Sequence, residues 1–514
     1  MGSFTCFREL WIDDVKQHSS ACRNDFPSYP CSEPELLVST CYPTSFEIGT
    51  GASIYTRSLL PAILKAEREV ILVTCFWAPS STLTALRETL EQLAKLREDR
   101  IRNESSLHPA GRALPPLDIF ICFSSRSFFQ KLFHSWSRDG YTYPPSKWVS
   151  KLGLPDPKIL EAGLINLRVK SLFFLPFSVM HPKFLVIDRQ RAWLPSCNVS
   201  WEAWFEGCVE ITGEAVVSLL RFYHSVWDRH LETDAQLLDA NGQQQRIEDI
   251  PSPGGIEITP IQSTVSRHMT LQPDNVPTML LPSSHHSNPR FRLLPWLRPT
   301  NPPATPLNCA VLRLIATAEK KIFVQTPNLT AKAVIDALLD ALDRGVDVTL
   351  ITSKGMMVLE QILTGATTTA WCLRSFIRLY ERRRNKRLIS QAAGMSNDLE
   401  AQLPRPGSLE IFYFHQLPTL PPQQVPEEPV HSHLKLIMVD DEYVVLGSGN
   451  MDRASWYTSQ ELGILFQSNK FVVNVSGVIR QALEGRLSLY FSSKRVGGDR
   501  SQWDIRIRTN SCQV

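Results

Sequence analysis

The sequence lacks any long hydrophobic run. No stretch of its 514 residues approaches the roughly 18 apolar residues that a membrane-spanning helix requires. The longest apolar segments, 70–77 and 171–180, have the length of strands. The N-terminus shows no apolar segment of the signal-peptide type, and Asp13 and Asp14 argue against a transit peptide. These absences predict a chain without a transmembrane span, and we expect it in the cytoplasm.

Paired cysteine motifs are also absent. The eleven cysteines are an odd number, they are scattered, and no C-x2-C pair occurs. Cys22, Cys31 and Cys41 are spaced too widely for a zinc knuckle. We therefore expect reduced and mostly buried thiols, no bound metal and no cofactor.

A strong excess of one charge is missing as well. The formal net charge is +3, whereas nucleic-acid-binding domains usually carry a concentrated basic excess. This balance does not exclude a local basic patch. The hydrophobic fraction of 43% is typical of a globular protein with a sizeable core.

An internal repeat is the first positive feature of the sequence. Segments 60–76 and 311–327 both begin with an apolar stripe typical of a helix, pass through a charged turn and end in a β-branched strand. A second strand follows in each half, at 117–123 and 346–351. Because strands alternate with helices, we predict an α/β fold of two pseudo-symmetric halves, each with a mixed, mainly parallel sheet covered by helices.

An amphipathic helix is predicted after the first strand of each half. In the first half the apolar positions recur at helical spacing, at Leu83, Leu86, Leu90 and Leu93. In the second half the helix is predicted over 331–343, with Thr330 as its N-cap and Gly345 just beyond its C-terminus.

The repeat divides the chain into five predicted segments. They are an N-terminal extension (1–45), a first half (46–235), a linker or surface excursion (236–305), a second half (306–490) and a C-terminal tail (491–514). The linker is rich in Pro, Ser, Gln and Asn and has its clearest breaker at 251–255. We expect a second irregular region, at 392–407 and 416–432, to form part of the rim of the site.

Each half contains one copy of the motif H-x-K-x4-D, as HPKFLVID at 181–188 and HLKLIMVD at 433–440. Each copy leads into an apolar segment and then a polar cluster ending in Asn, PSCN at 195–198 and GSGN at 447–450, with a Glu twelve or eleven residues later. Two copies at equivalent places of a repeat are far more specific than one. The candidate site residues are His181, Lys183, Asp188, Ser196, Asn198 and Glu210 in the first half, and His433, Lys435, Asp440, Ser448, Asn450 and Glu461 in the second.

The spacing of the motif has a physical reason. Alternate side chains of an extended strand share a face, so His and Lys at positions i and i+2 point the same way. A tetrahedral phosphodiester requires a nucleophile, a proton donor and several fixed donors for its anionic oxygens. Two such half-sites would supply all of them, with one His on each side of the phosphorus. Asp188 and Asp440 lie at the far end of the strand, where they either cap a turn or take part in the site.

The duplicated H-x-K-x4-D with a following G-S-x-N resembles the phospholipase D superfamily, in particular its cardiolipin-synthase-like and small phospholipase-D-like members. The resemblance covers about residues 46–491. It implies two α/β halves packed face to face around one shared active site, and a covalent phosphohistidine. It departs from the family pattern at Pro195, where a Gly is usual, which puts the contribution of Ser196 in question.

The resemblance also implies a role for each residue. His181 would be the nucleophile, and His433 the general acid and then the general base. The phosphoryl oxygens would be bound by Lys183, Lys435, Asn198 and Asn450, with help from Ser196 and Ser448. Glu210 and Glu461 would hydrogen-bond the histidines and fix their tautomers. Since the lysines supply positive charge, this scheme requires no metal.

The substrate is less well defined by the sequence. Segment 367–387 predicts a helix with Trp371, Leu373, Phe376, Ile377 and Leu379 that ends in a basic cluster, which suits either an anionic membrane surface or a core-packing helix. The aromatic residues after the Asn positions, Trp201, Trp204, Trp456 and Tyr457, either line a substrate channel or pack a domain interface.

We therefore expect a monomeric enzyme that acts on phospholipids, by hydrolysis or by transfer to an alcohol, with peripheral contact to an anionic membrane. A nuclease-like phosphodiesterase and a catalytically inactive scaffold of the same fold are the alternatives. A nuclease would need a basic groove with stacking aromatic residues, which the sequence does not plainly show.

Overall fold

A computed structural model gives the structure of the chain. It describes residues 2–22, 25–107, 114–127, 130, 139–174, 178–199, 203–228, 258–284, 301–358, 361–362, 367–392, 405–418 and 426–494. The predicted breaker at 251–255, Trp201 and parts of the two irregular regions lie outside these residues.

The chain forms two compact units. The N-half unit consists of Ser39–Asn275 with Gln423–Glu428, and the C-half unit of Met1–Val38, Val276–Pro422 and Pro429–Val514. The first 38 residues therefore belong to the same unit as the second motif.

The helices of the described residues are α1 (Gly2–Gln17), α2 (Tyr29–Ser32), α3 (Gly51–Ile54), α4 (Leu60–Leu64), α5 (Ser81–Leu107), α6 (Pro157–Ala162), α7 (Glu214–Tyr223), α8 (Pro306–Thr317), α9 (Lys332–Asp343), α10 (Thr369–Ala392), α11 (Arg453–Tyr457) and α12 (Asn469–Ala482). The strands of the N-half unit are β1 (Val38–Gly49), β2 (Glu69–Phe76), β3 (Leu117–Ser125), β4 (Tyr141–Thr142), β5 (Ile165–Ser171), β6 (Phe173–Phe174), β7 (Ser178–Val179), β8 (Phe184–Ile187), β9 (Arg191–Pro195), β10 (Trp204–Thr212) and β11 (Arg267–Thr270). The strands of the C-half unit are β12 (Val276–Ser283), β13 (Lys321–Gln325), β14 (Asp347–Ser353), β15 (Leu409–Phe414), β16 (His431–Ser432), β17 (Leu436–Val439), β18 (Tyr443–Gly447), β19 (Glu461–Gln467) and β20 (Leu487–Ser492).

Both units repeat the same arrangement of seven strands. In the N-half unit the order is β1-β10-β9-β8-β2-β3-β5, and in the C-half unit it is β12-β19-β18-β17-β13-β14-β15. The last three strands of each series are parallel and the others antiparallel. The register repeats as well, because Val70 pairs with Ile187 as Ile322 pairs with Val439. The predicted α/β fold with mixed sheets is confirmed.

The repeat begins earlier in the chain than its helices suggest. β12 is the counterpart of β1, and it lies inside segment 236–305, which the sequence assigns to a linker. Its burial is nearly complete, and an apolar strand of this kind belongs to the sheet core. The second repeat therefore starts at Val276 rather than at 306.

Helices cover the sheets through the predicted apolar stripes. Leu83, Leu86, Leu90 and Leu93 of α5 are all buried in the core of the N-half unit. In the C-half unit α9 begins after Ala331, so the prediction that Thr330 is its N-cap is wrong. The hydroxyl of Thr330 instead accepts a hydrogen bond from the amide of Arg453 (3.0 Å), which removes it from the helix start.

The N-terminal segment packs on α8 within the C-half unit. Trp11 of α1 is fully buried, and its indole N–H donates to the carbonyl of Pro306 (3.0 Å). Arg313 pairs with Asp14, with Nη2 2.6 Å from Oδ1 and Nε 2.9 Å from Oδ2. Among the helices of the described residues, none combines the length and apolarity needed to cross a membrane.

Candidate active site

The first H-x-K motif lies at the start of β8. Lys183 is 3% exposed and directly precedes the strand, whereas His181 is half-buried. The Lys183 ammonium donates to the main-chain carbonyl of His181 (3.0 Å). A buried ammonium must be hydrogen-bonded to offset its desolvation, so this bond holds the lysine close to the histidine.

The second motif is more deeply buried. His433 is 4% exposed and Lys435 is 3% exposed. The ammonium nitrogen of Lys435 lies 2.7 Å from Nδ1 and 2.8 Å from Nε2 of the His433 ring. Because an ammonium group only donates hydrogen bonds, this contact requires a lone pair on the ring nitrogen that accepts.

Neighbouring strands fix the residue that directly precedes the second motif. Ser432 precedes His433, and its hydroxyl accepts from the side-chain amide of Gln325 (2.8 Å) at the end of β13. The hydroxyl of Ser353, at the end of β14, donates to the carbonyl of Ser432 (2.7 Å) and accepts from its amide (2.9 Å). All three side chains are buried, and these hydrogen bonds fix the backbone directly before His433.

The serines of the two polar clusters form the same hydrogen bonds. Ser196 donates its hydroxyl to Glu206 and accepts from the amide of Gly207 (2.9 Å). Ser448 donates to Glu461 (2.6 Å) and accepts from the amide of Leu462 (3.0 Å). Each buried carboxylate is thus tied to the serine of its own half.

These contacts identify Glu206 as the structural counterpart of Glu461, in the place where the sequence analysis puts Glu210. Glu210 lies four residues further along β10 and accepts from Nε of Arg191 (2.9 Å) and from the hydroxyl of Ser45 (3.1 Å). Counting from Asn misplaces the residue because the connection between serine and glutamate is ten residues long in one half and thirteen in the other. The structural signal that identifies Glu206 is the hydrogen bond from the amide of the following residue, Gly207, to Ser196, which matches that from Leu462 to Ser448.

Pro195 leaves the position of Ser196 unchanged. The amide of Ser196 donates to the carbonyl of Gly207 (2.8 Å), as the amide of Ser448 donates to that of Leu462 (3.0 Å). At Gly447, the counterpart of Pro195, an added Cβ would lie 2.3 Å from the carbonyl oxygen of Leu462. Glycine is therefore required in the second half by a close backbone approach, whereas the first half accommodates proline at the end of β9.

The asparagines differ between the halves. The side-chain carbonyl of Asn198 accepts from the hydroxyl of Thr74 (3.3 Å) and from the amides of Cys75 (3.1 Å) and Phe76 (3.3 Å). These three donors at the end of β2 fix the carbonyl, and they leave the NH2 group of Asn198 as the part able to bind an anionic oxygen.

Asn450 has no such anchor. Its NH2 group donates to Asp452 (3.0 Å), and its carbonyl oxygen is buried without a hydrogen-bond partner among the described residues. The repeated register makes Pro327 the counterpart of Cys75. Since proline has no N–H, one of the three donors that hold Asn198 in the first half, the amide of Cys75, has no equivalent here.

The two aspartates of the motifs support the sheets. The carboxylate of Asp188 accepts from the amides of Glu67 (3.0 Å), Arg68 (2.7 Å) and Glu69 (2.9 Å) at the turn before β2. Asp440 forms the equivalent bonds at the turn before β13, each of 2.8 Å. Three backbone donors occupy each carboxylate, so we assign both aspartates to structural support rather than to a chemical step.

The aromatic residues after the second Asn pack inside the C-half unit. Trp456 and Tyr457 are buried, and the carbonyl of Trp456 accepts from the side chain of Asn308 (3.2 Å). Trp456 also lines a narrow cavity together with Lys435 and Asn450. It is therefore placed beside the second half-site, whereas Trp204 begins β10 in the N-half unit.

Metal-ligating side chains do not cluster at either half-site among the described residues. The one group of three that these residues contain lies elsewhere, in the N-terminal segment. The positive groups of the half-sites are the buried lysines, and the carboxylates are held by serines or by backbone amides.

Comparison with known proteins agrees with this geometry. The family model described as the cardiolipin synthase, phospholipase-D-like domain matches residues 311–482. The second half thus contains a phospholipase-D-like domain, and the first half repeats the strand order and the motif of the matched region, which supports the resemblance to the phospholipase D superfamily. Comparison with curated proteins gave no significant match.

Three solved structures are similar to the chain at low identity. Phosphatidylserine synthase of Haemophilus influenzae Rd KW20 has 13% identity and a TM-score of 0.47, covering 93% of this chain and 92% of that one. Polyphosphate kinase of Porphyromonas gingivalis has 12% identity and a TM-score of 0.40, with coverages of 84% and 46%. The phospholipase D family member Nuc of Salmonella typhimurium has 15% identity and a TM-score of 0.25, with coverages of 41% and 97%.

Proposed function

We propose that the chain is a phosphodiesterase or phosphatidyltransferase of the phospholipase D type that acts on phospholipids through a covalent phosphohistidine. The observation that supports this most directly is the duplication of one chemical set. Each unit holds a histidine beside a buried lysine, a serine tied to a buried glutamate, and an asparagine. The proposal is that both sets act on the same phosphorus atom.

The first chemical step breaks the ester bond. A ring nitrogen of His181 attacks phosphorus, and the electron pair of the P–O bond leaves with the alcohol oxygen. His433 donates its proton to that oxygen, so the alcohol departs neutral. A protonated His433 has no lone pair to accept the hydrogen bond from Lys435, so this contact becomes a repulsion between like charges, and the repulsion favours the proton transfer.

The second step releases the product. His433 accepts the proton of a water molecule or an alcohol, whose oxygen attacks phosphorus while the P–N bond to His181 breaks. Water gives hydrolysis and an alcohol gives phosphatidyl transfer. Lys183, Lys435 and the NH2 group of Asn198 would stabilise the extra negative charge on the phosphoryl oxygens in both steps.

The exposed face of α10 supports a lipid substrate. Leu373, Phe376 and Tyr380 bury one face of this helix, which bears out the core-packing interpretation for that face. Trp371 is 71% exposed at the other face, and Arg374, Arg378 and Arg382 follow it at helical spacing. An exposed indole next to a basic stripe suits the interface of a membrane with anionic headgroups.

Two other basic residues of α10 form contacts within the C-half unit. Arg383 pairs with Asp340 (2.9 Å) and Asp343 (2.7 Å) of α9, and Arg387 donates to the carbonyl of Asp343. The basic cluster predicted from the sequence is therefore divided between intramolecular ion pairs and the exposed stripe.

A mixed cavity beside the first half-site also suits a phospholipid. It has a volume of about 410 Å³ and is lined by Trp77 and Leu83 together with Arg87, Arg126 and Lys151. Ser80, a further lining residue, donates to the carbonyl of Val199, next to Asn198. Basic side chains for a phosphate and apolar side chains for an acyl chain are thus adjacent.

The deciding experiment offers phosphatidylglycerol, phosphatidylcholine and single-stranded DNA to the purified protein. We expect turnover of phospholipid, its loss in His181→Ala, and its retention in His415→Ala, a histidine outside both motifs. We also expect turnover to continue in EDTA. Cleavage of DNA without lipid turnover would mean that the substrate is a nucleic acid. Equal rates for wild type and His181→Ala on all substrates would mean that the protein is a catalytically inactive scaffold.

A further inference from the structure

A thiol and carboxylate cluster lies in the N-terminal segment of the C-half unit. The ligand atoms of Cys22, Asp25 and Cys31 all lie within 4.8 Å of one another. Both cysteines are 2% exposed, and Asp25 is half-buried. Neither half-site includes any of these residues.

Local structure brings the three side chains together. Cys22 ends a short 3-10 helix, Ser19–Cys22, and its carbonyl accepts from the amide of Asp25 (2.9 Å). Cys31 lies in α2, and its amide donates to the carbonyl of Ser28 (3.1 Å). These two segments bring the side chains together despite the nine-residue spacing that the sequence presents as too wide for a zinc knuckle.

The turn itself is fixed to the rest of the unit. The amide of Phe26 donates to the carbonyl of Ser284 (3.1 Å), and the side-chain amide of Gln460 donates to the carbonyls of Phe26 (2.6 Å) and Ser284 (3.0 Å). A cluster whose backbone is held in this way is organised before any ion binds, which lowers the entropic cost of binding.

The chemistry of the cluster favours a thiophilic divalent cation. Zn²⁺ binds thiolate sulfur at about 2.3 Å and carboxylate oxygen at about 2.0 Å, so tetrahedral ligands lie roughly 3.5 Å apart. A mutual separation below 4.8 Å is compatible with that geometry. Within the described residues, no Lys or Arg forms an ion pair with Asp25.

A further thiol, that of Cys309 in α8, is near Cys22 and Cys31. It is only half-buried, and it could complete a four-coordinate site that otherwise takes a water molecule as its fourth ligand.

We propose that Cys22, Asp25 and Cys31 bind a structural zinc ion. The ion would join Cys22 to α2 within the N-terminal segment and so fix Phe26, whose carbonyl accepts from Gln460, the residue before Glu461 of the second half-site. It takes no part in the chemical steps, so this inference stands independently of the proposed function.

The first test measures the metal content of the full-length protein, purified without chelators or metal-affinity resin, by plasma mass spectrometry. We expect about one Zn²⁺ per chain in the wild type and less than about a tenth of that in the Cys22→Ser, Cys31→Ser double variant. Cys41→Ser, which removes a buried thiol of the N-half unit, should keep the full content. A wild type without metal that also fails to bind added Zn²⁺ would overturn the proposal.

A second test does not depend on the folding of the double variant. Asp25→Cys supplies a third thiolate and should retain the ion against a chromophoric chelator at least as well as the wild type, whereas Asp25→Ala should release it at least tenfold faster. Equal release from all three proteins would contradict the role of Asp25. A disulfide between Cys22 and Cys31, detected by mass spectrometry without reduction, would overturn the metal site in favour of a redox pair.

Discussion

The two half-sites contain the same residue types in different surroundings. In the first, three donors at the end of β2 anchor the carbonyl of Asn198, and Lys183 binds the main chain of a half-buried His181. In the second, Lys435 contacts the ring of a buried His433, and the carbonyl of Asn450 is unsatisfied among the described residues. The two copies of the motif thus lie in different surroundings, which is compatible with the unequal roles proposed for the two histidines.

The histidines provide the sharpest test of this inequality. We expect His181→Ala and His433→Ala each to lower kcat by about 10⁴-fold on a phospholipid. On an ester with a p-nitrophenol leaving group, which departs without protonation, His433→Ala should still form the phosphohistidine and His181→Ala should not. Rapid-quench trapping of the phosphorylated protein distinguishes them, and an adduct in His181→Ala would reverse the assignment.

Glu47 of β1 provides a test on stability. Burial is the main reason that the pKa of Glu47 rises from 4.5 to about 7. The folded N-half unit therefore binds this proton more tightly than the unfolded chain does, and the free energy of unfolding falls as the pH rises from 4.5 to about 7. The strand register places Leu281 at the equivalent position of the C-half unit.

Replacing Glu47 by this counterpart should remove the pH dependence. As the pH is raised from about 5 to about 8, we expect the free energy of unfolding of Glu47→Leu, measured in urea, to rise by about 3 kcal/mol relative to that of the wild type. Glu161→Leu, which changes an exposed carboxylate of the same unit, should show no such trend. If the free energy of unfolding depended on pH in the same way in both variants, Glu47 would be ionised in the folded state.

The asparagines should differ in the size of their effect. We expect Asn198→Ala to lower kcat by about 10²-fold, because it removes a fixed donor to the phosphoryl oxygens, and Asn450→Ala by only about tenfold. Steady-state kinetics on phosphatidylglycerol makes the comparison. Equal losses would show that the anchoring of Asn198 has no catalytic value. If the losses are equal, Pro327→Ala, which restores an N–H at the position equivalent to Cys75, should also leave turnover unchanged.

The glutamates test the assignment of Glu206. We expect Glu206→Gln and Glu461→Gln to lower kcat roughly tenfold, since each carboxylate orients the serine of its half-site. Glu210→Gln should leave kcat within about twofold, because its carboxylate pairs with Arg191. A kcat loss confined to Glu210→Gln would restore the position that the sequence spacing indicates.

Local patterns in the sequence predict well those residues whose places are set by one strand. The H-x-K pairs directly precede β8 and β17, and the serines and asparagines directly follow β9 and β18, so counting along the chain finds them. Glu206 and β12 depend on pairing between strands that are distant in sequence or joined by connections of unequal length, and single-sequence spacing cannot show that pairing. The prediction that Thr330 caps α9 fails for the same reason. Its hydroxyl binds the amide of Arg453, 123 residues later, and a local pattern contains no information on that contact.

The packing of α1 on α8 has a consequence for synthesis. Trp11 and its partner Pro306 are 295 residues apart, and both Trp11 and Val15 are fully buried in the finished unit. At a translation rate of about 5–20 residues per second, α1 emerges from the ribosome roughly 15–60 s before the surface that covers it. During that interval its apolar face is available to chaperones, so the earliest part of the chain is among the last to reach its final environment.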